Sequence, residues 1–372
     1  MATTKRKKVV AAALEAPTRG RSRVVLDDGE DRPSLSYFAD LDKEGLEFIN
    51  SGCSLLDCAL SGGWVLGRVT NIVGDRSAGK TLLAIEACAN FHQQYPDGIS
   101  RYAESEAAFD EGYAGALGMP MERVDMGKAG TFGRKEDEPM ETVEDWYRSA
   151  EAFTKRCEEA KVPGLYIIDS FDALSDEAEM LREIDKGSFG AGKAKKSGEL
   201  FRKLVRRMEK ARVALIVVSQ IRDKLNVTFG ETKTRSGGRA LDFYATHIVW
   251  LAEIGKIKKT IKGIERPVGV DVRAKVKKNK VGLPFRECDY PIMFGYGVDD
   301  MMAAAEWVVK ELKRPELLAE ADMSANGYKI RINNLRDKGG AEAREVRKKL
   351  AATVRREWQA IEEGFVPRAR KY

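Results

Sequence analysis

The chain has 372 residues, room for two or three domains at about 150 residues each, so its core needs no disulfide support. Apolar residues at 43% exclude a disordered chain, and the longest apolar stretch, around Val213 to Val218, is far below the roughly 18 residues of a membrane span. The formal charge of +6 is uneven: residues 1–25 carry seven Lys/Arg against Glu15 alone, residues 301–372 carry 16 against 11 acids, and the middle is slightly acidic. A polyanion must therefore be met by local basic segments or by the tails and not by bulk charge.

The opening MATTKRKKVV has positive charge but no apolar h-region or small-residue cleavage site, so a cytoplasmic location is expected. Five cysteines without a CxxC pair fit reduced, buried thiols. With only His92 and His247, a His-rich zinc site or a Ser/His/Asp hydrolase has little to build on.

From Arg68 onward, short β-branched runs alternate with helical patterns, which predicts βαβ units and a parallel sheet. VTNIVG, LYIIDS and VALIVVSQ are nearly continuous apolar runs and are expected as buried central strands. Thr81–Phe91 and Leu200–Ala211 place apolar residues three and four apart, as helices do. Segments 186–198 and 223–239, rich in Gly, Ser, Thr and Lys, are expected as long functional loops. The run from Val268 to Pro284 alternates like strands joining the same sheet, within a basic stretch from Lys256 to Lys280 holding ten Lys/Arg and two acids. After Val298 the pattern becomes helical, broken by a polar connector around Ala325 to Gly340. The expected organisation is a basic arm over residues 1–45, a core over 46–300 and a small basic helical domain over 301–372.

Between the first strand and its helix lies GDRSAGKT, Gly74, Asp75, Arg76, Ser77, Ala78, Gly79, Lys80 and Thr81, which fits a P-loop in sequence and in context. Its backbone N–H groups and the helix N-terminus suit phosphates, Lys80 suits the β/γ-phosphates, and the Thr81 hydroxyl suits Mg2+. Asp169, closing LYIID, is the candidate acid for the metal shell. Glu104, Glu106 and Asp110 each offer a carboxylate to orient an attacking water, and each equally suits a surface position. Gln220, at the end of VALIVVS, suits either a γ-phosphate contact or a solvent-facing strand end.

Several separated motifs resemble the RecA-type strand-exchange recombinases, in the manner of a phage or plasmid member. They include SGCSLLDCALSGGWVLGRV, the P-loop, AESEAAFDEGYAGALG, LYIIDSFDAL, SQIRDKLNVTFGETKTRSGGRALDFYA and VKKNKVGLPFRECDYPIMFGYG, from about Ile49 to Gly297. The resemblance implies an α/β fold with a RecA-type P-loop NTPase core, a central, mostly parallel twisted sheet, an N-terminal interaction arm and a small helical C-terminal domain. It implies ATP and Mg2+ as cofactors, Glu106 as the water activator, Gln220 as the γ-phosphate sensor, and Asp110 and Tyr113 as adenine contacts. Lys278 and Lys280 resemble paired lysines that reach a neighbouring protomer's nucleotide, and Phe243 an aromatic that packs on the adjacent subunit. The DNA-binding loops align with about 183–198 and 222–239, placing Lys195, Arg202, Arg222, Phe229, Gly230, Gly237 and Gly238 near DNA.

The implied partners are single-stranded DNA, a homologous duplex, further copies of the chain in a helical filament, and loading or mediator proteins. Two alternatives share the same core: a ring-forming helicase or motor, and an ATP-switched DNA-binding mediator with little turnover. The chain departs from the bacterial pattern at Arg76 and Ala78, at Ala107 after Glu106, in the segment Tyr37–Glu47, and in its basic PRARKY end.

Overall fold

The computed structural model describes residues 46–181, 191–223, 233–235 and 238–365. The expected arm over residues 1–45 lies outside them. Among the described residues a small antiparallel pair, β1 (Phe48–Ile49) and β2 (Trp64–Val65), precedes the main sheet. The main sheet contains β3 (Val69–Gly74), β4 (Ile99–Glu104), β5 (Val124–Asp125), β6 (Gly164–Asp169) and β7 (Val213–Asp223). It continues with β8 (Lys233–Arg235), β9 (His247–Ile261), β10 (Ile264–Asn279), β11 (Arg286–Met293) and β12 (Gly297–Val298).

The strand order is β12-β11-β10-β9-β3-β7-β6-β4-β5, with β8 added on β7. From β5 to β9 every neighbouring pair is parallel, and β9 to β12 is an antiparallel meander. This is the mostly parallel α/β sheet expected from the apolar runs. Burial on both faces explains those runs: in β7, Ala214, Ile216 and Val218 enter one core cluster, while Val213, Leu215 and Val217 enter the other. Each valine, leucine or isoleucine so buried stabilises the fold by about 1.5–3 kcal/mol.

One face is covered by the helix Val143–Ala160, whose Thr142 and Asp145 form a reciprocal capping box, and by the helix Ala191–Lys210. Trp146, Phe171 and Phe201 meet there, with ring centroids 5.0–5.9 Å apart. The other face is covered by the helix Lys80–Gln94 and by the C-terminal helices, including Tyr328–Lys338 and Gly340–Phe365. Leu318, Ile332, Leu350 and Val354 of the C-terminal region share one apolar cluster with Ile72, Leu83 and Ile216 of the sheet region. Arg347 ties the last helix to the Asp300 carboxylate at 3.1 Å and to the Gly52 carbonyl at 2.9 Å.

Two sequence expectations are corrected. Segment 186–198 is not loop throughout, because helix begins at Ala191, nine residues before Leu200. Lys193 donates to the carbonyls of Phe171, Asp172 and Leu174 and lies over the Phe171 ring, and Ser197 is fully buried, so tertiary contacts fix a glycine- and lysine-rich stretch as helix. The connector 325–340 likewise contains a helix, in which Tyr328, Ile332 and Leu335 form a narrow buried stripe. Segment 223–239 includes β8 and the start of the helix Gly238–Tyr244, and its remaining residues lie outside the described ones.

Candidate active site

The C-terminal ends of β3, β4, β6 and β7 lie side by side, and loops leaving that edge of a parallel sheet are where such folds gather ligands. Gly74 ends β3 beside Gln220, and Glu104 ends β4 beside Asp169. Strand pairing thus brings together four segments that are far apart in the chain.

The P-loop leaves β3 and turns into the helix Lys80–Gln94, with Ser77 at φ 61° and Gly79 at φ 81°. These left-handed residues curl the backbone so that consecutive N–H groups can face an anion. A Cβ at Gly74 would crowd the Leu251 carbonyl oxygen at 3.0 Å, and Gly79 holds a left-handed φ that side chains adopt only with strain. Asp75, Arg76 and Ser77 are exposed, Ala78 is buried, and Lys80 is buried with its Nζ donating to the Asp75 carbonyl at 2.7 Å. Burial pushes the Lys80 ammonium below its ordinary range, against the pull of Asp169, Glu106, Asp75 and Asp172.

Thr81 Oγ1 donates to Asp169 Oδ2 at 2.7 Å, and the Tyr102 hydroxyl donates to the same oxygen at 2.7 Å. Burial raises the Asp169 carboxyl and the proximity of Glu106 adds to this, while the two hydroxyl donors and Lys80 act in the opposite sense. A cation at this point would relieve that repulsion. No group of three or more His, Cys, Asp or Glu able to cage a metal occurs among the described residues. The Thr81 hydroxyl and the Asp169 carboxylate are hard oxygen donors, a set that fits Mg2+.

The three candidate carboxylates at and after the end of β4 separate cleanly. Glu104 turns back to accept the backbone N–H groups of Glu106, Ala107 and Ala108 at 2.8, 2.9 and 3.1 Å. Asp110 caps the helix Glu111–Ala116, accepting the Tyr113 N–H at 2.9 Å. Only Glu106 turns its carboxylate across the strand ends, where Oε1 accepts from Ser170 Oγ and from Gln220 Nε2, the latter at 3.0 Å. Gln220 is set in place by its own N–H, which donates to Asp172 Oδ2 at 2.8 Å. Tyr113 is partly exposed, with its hydroxyl raised by burial and by the nearby Glu86 of the P-loop helix.

Lys278 and Lys280 lie away from this cluster, at the end of β10. In the isolated chain both ammonium groups donate to the Phe243 carbonyl, at 3.2 and 3.0 Å, and Lys278 also to that of Asp242. Phe243 is 71% exposed, with its ring edge-on to Tyr244 and the Lys280 ammonium 5.9 Å from its centroid. Lys195 and Arg202 are exposed on the helix Ala191–Lys210. The backbones of Arg222 and Gly238 lie in β7 and in the helix Gly238–Tyr244, whereas Phe229, Gly230 and Gly237 lie outside the described residues.

Sequence reasoning missed Tyr102, Ser170 and Asp172, which position Asp169, Glu106 and Gln220. Ser170 directly follows the strand-end acid and Asp172 lies three residues beyond it, which is the signal that could have drawn attention to them. Glu104, one of the three candidate carboxylates, binds its own loop.

The family model described as the RecA N-terminal domain matches residues 30–299. Among curated proteins, the chain is 32% identical over 268 residues to the protein RecA of Rippkaea orientalis, covering 72% of this chain and 71% of the relative. It is 32% identical to the protein RecA of Crocosphaera subtropica, again covering 72% and 71%. It is 31% identical to the protein RecA of Prochlorococcus marinus, covering 72% of this chain and 65% of the relative, just under two thirds of that length.

Proposed function

Because this chain belongs to the RecA family, we propose that it is a DNA-dependent ATPase that polymerises on single-stranded DNA and pairs that strand with a homologous duplex. The observation that carries this reading is the 3.0 Å contact between Gln220 and Glu106. It joins a carboxylate beside the P-loop to the strand that runs directly into segment 223–239, so nucleotide state and a DNA-facing segment share one hydrogen bond.

In this mechanism the P-loop N–H groups and Lys80 hold the triphosphate, and Tyr113 and Asp110 flank the adenine. Thr81 and Asp169 would hold Mg2+, which would supply charge neutralisation at the phosphate oxygens. Glu106 accepts a proton from the attacking water, a role worth 10²–10⁴-fold in typical enzymes. Gln220 exchanges the Glu106 carboxylate for the γ-phosphate and returns when the phosphate leaves, which changes the path of β7 into the DNA segment. Lys278 and Lys280 leave the Phe243 carbonyl to reach the nucleotide of the neighbouring protomer, and exposed Phe243 packs on that protomer. Nucleotide and DNA then favour the same filament state, so each tightens the other.

Lys195, Arg202 and Arg222 meet phosphates, Phe229 stacks on bases, and Gly230, Gly237 and Gly238 allow close backbone approach. Recognition is sequence-independent, leaving homology to base pairing. The organisation that goes with this reading is an oligomerisation arm over 1–45, the ATPase core over 46–300 and a basic C-terminal unit over 301–372, acting in the cytoplasm with loading proteins.

The test is ATP hydrolysis with and without single-stranded DNA, with imaging in a non-hydrolysable analogue. DNA-stimulated turnover with open helical filaments is the expected result. Closed rings with directional unwinding would make it a motor, and ATP-dependent DNA binding without turnover would make it a mediator.

A further inference from the structure

The hairpin β9–β10 extends well past the sheet. β10 pairs with β11 only from Gly269 onward, and β9 pairs with β3 only up to Leu251. Residues 258–261 and 264–267 therefore pair only with each other, forming a two-stranded ribbon of roughly 13 Å at about 3.3 Å per residue. It closes in a two-residue turn, with Lys262 at φ 51° and Gly263 at φ 79°, the tight geometry that hairpins prefer. A two-stranded ribbon has no core of its own and is marginal in water unless something covers it.

Its side chains are arranged at a cost to the isolated fold. Ile261 and Ile264 face each other across the last rung and are 60% and 57% exposed. The next rung on the same face pairs Lys259 with Arg266, like charges directly opposite, which destabilises a strand pair. The ribbon's single acid, Glu265, is taken by Lys258 at 2.8 Å on the other face. Among the described residues no carboxylate pairs with Lys259, Lys262 or Arg266. The result is a basic prong with two isoleucines at its tip.

We infer that this ribbon is an arm that grips double-stranded DNA. A two-stranded ribbon fits a duplex groove, uncompensated Lys and Arg suit its phosphates, and an apolar tip suits the groove floor or a base step. Lys259, Lys262 and Arg266 contact phosphate oxygens on either side of the groove, and Ile261 with Ile264 enters it. The inference rests on the proposed pairing function and adds the surface that holds the incoming duplex.

The test compares the full-length protein with a Lys259→Ala, Lys262→Ala, Arg266→Ala triple variant and, separately, an Ile261→Ser, Ile264→Ser variant. Duplex affinity is measured against salt on filaments preassembled on single-stranded DNA with a non-hydrolysable analogue, and on the free protein. All five side chains are exposed, and circular dichroism checks the fold. The triple variant should lower the salt slope of duplex binding by about 2.7 and the affinity roughly hundredfold at 0.1 M salt. The isoleucine variant should lose affinity at an unchanged slope, and single-strand-stimulated hydrolysis should stay at the wild-type rate in both. An unchanged duplex slope would overturn the inference. So would altered filament assembly without duplex, which would make the ribbon a subunit contact. Wild-type protein that grips duplex through the ribbon yet lacks DNA-stimulated hydrolysis would keep the arm and remove the recombinase reading.

Discussion

Replacing Glu104 by Ala should cut turnover while leaving ATP affinity almost intact. The carboxylate holds three backbone N–H groups of the loop that carries Glu106, in a turn where Ala107 takes a left-handed φ of 53°. Such a φ costs a non-glycine residue of order 1 kcal/mol, so the loop needs an external hold. Hydrogen bonds to a charged acceptor are worth about 1.5–3 kcal/mol when buried, but this loop is exposed and water competes, leaving roughly 0.5–1 kcal/mol each. Three of them give about 1.5–3 kcal/mol, so without them the conformation that presents Glu106 falls about 10–100-fold in population, and kcat with it. Glu104→Gln keeps a neutral acceptor of about half the strength and should fall between the wild type and Glu104→Ala. The assay is steady-state ATP hydrolysis with saturating single-stranded DNA, crossed with Glu106→Gln. If Glu104 acts only by positioning Glu106, adding Glu104→Ala to Glu106→Gln should cost almost nothing further. A wild-type kcat for Glu104→Ala, or an equal drop in the Glu106→Gln background, would refute the argument.

Gln220→Ala should preserve DNA-independent hydrolysis within a few fold but abolish its stimulation by single-stranded DNA, because the bond linking Glu106 to β7 is lost; retained stimulation would contradict that link. Replacing Lys278 and Lys280 by Ala should lower filament assembly and turnover together, as seen by imaging and by the concentration dependence of hydrolysis. Burial raises the Asp57 carboxyl to about 7 against an ordinary 3.8, while its Oδ1 accepts the Ser51 N–H at 2.8 Å. The folded state then binds more protons than the unfolded one between those values, so stability falls as pH rises from about 4 to 7, by about 4 kcal/mol for this group. Asp57→Asn keeps an acceptor for Ser51 and should flatten the pH dependence measured by urea unfolding at pH 5 and pH 8. Glu86, also raised to about 7, should keep part of the slope. An identical slope in both proteins would show that Asp57 does not titrate as a buried acid.

Much of the core was legible because its signals are local. A strand buried on both faces must be continuously apolar, and VTNIVG is β3 residue for residue, while the other two runs match β6 and β7 within a few residues. The P-loop was legible because phosphate binding needs glycines at fixed spacing between a strand and a helix. Helix at Ala191 and at Tyr328 was not legible, since glycine, lysine and asparagine lower local propensity and the compensation comes from distant residues such as Phe171. The basic stretch from Lys256 to Lys280 was visible as charge, but its division into a paired β10 and a free-standing ribbon depends on where β11 stops.

The sequence by itself determined the parallel sheet, the phosphate loop and the set of acids from which a water activator could come, because hydrophobic period and glycine spacing act over a few residues. The residues alone left three acids open and only the family resemblance singled out Glu106; which carboxylate turns toward the neighbouring strand ends is a property of the tertiary structure. The pairing of β4 with β6 and the 114-residue separation bridged by Gln220 and Glu106 set that choice. Glu104 and Asp110 satisfy nearby backbone N–H groups, and Glu106 alone is left to turn toward the neighbouring strands, a distribution of hydrogen bonds that exists only once the strands lie side by side.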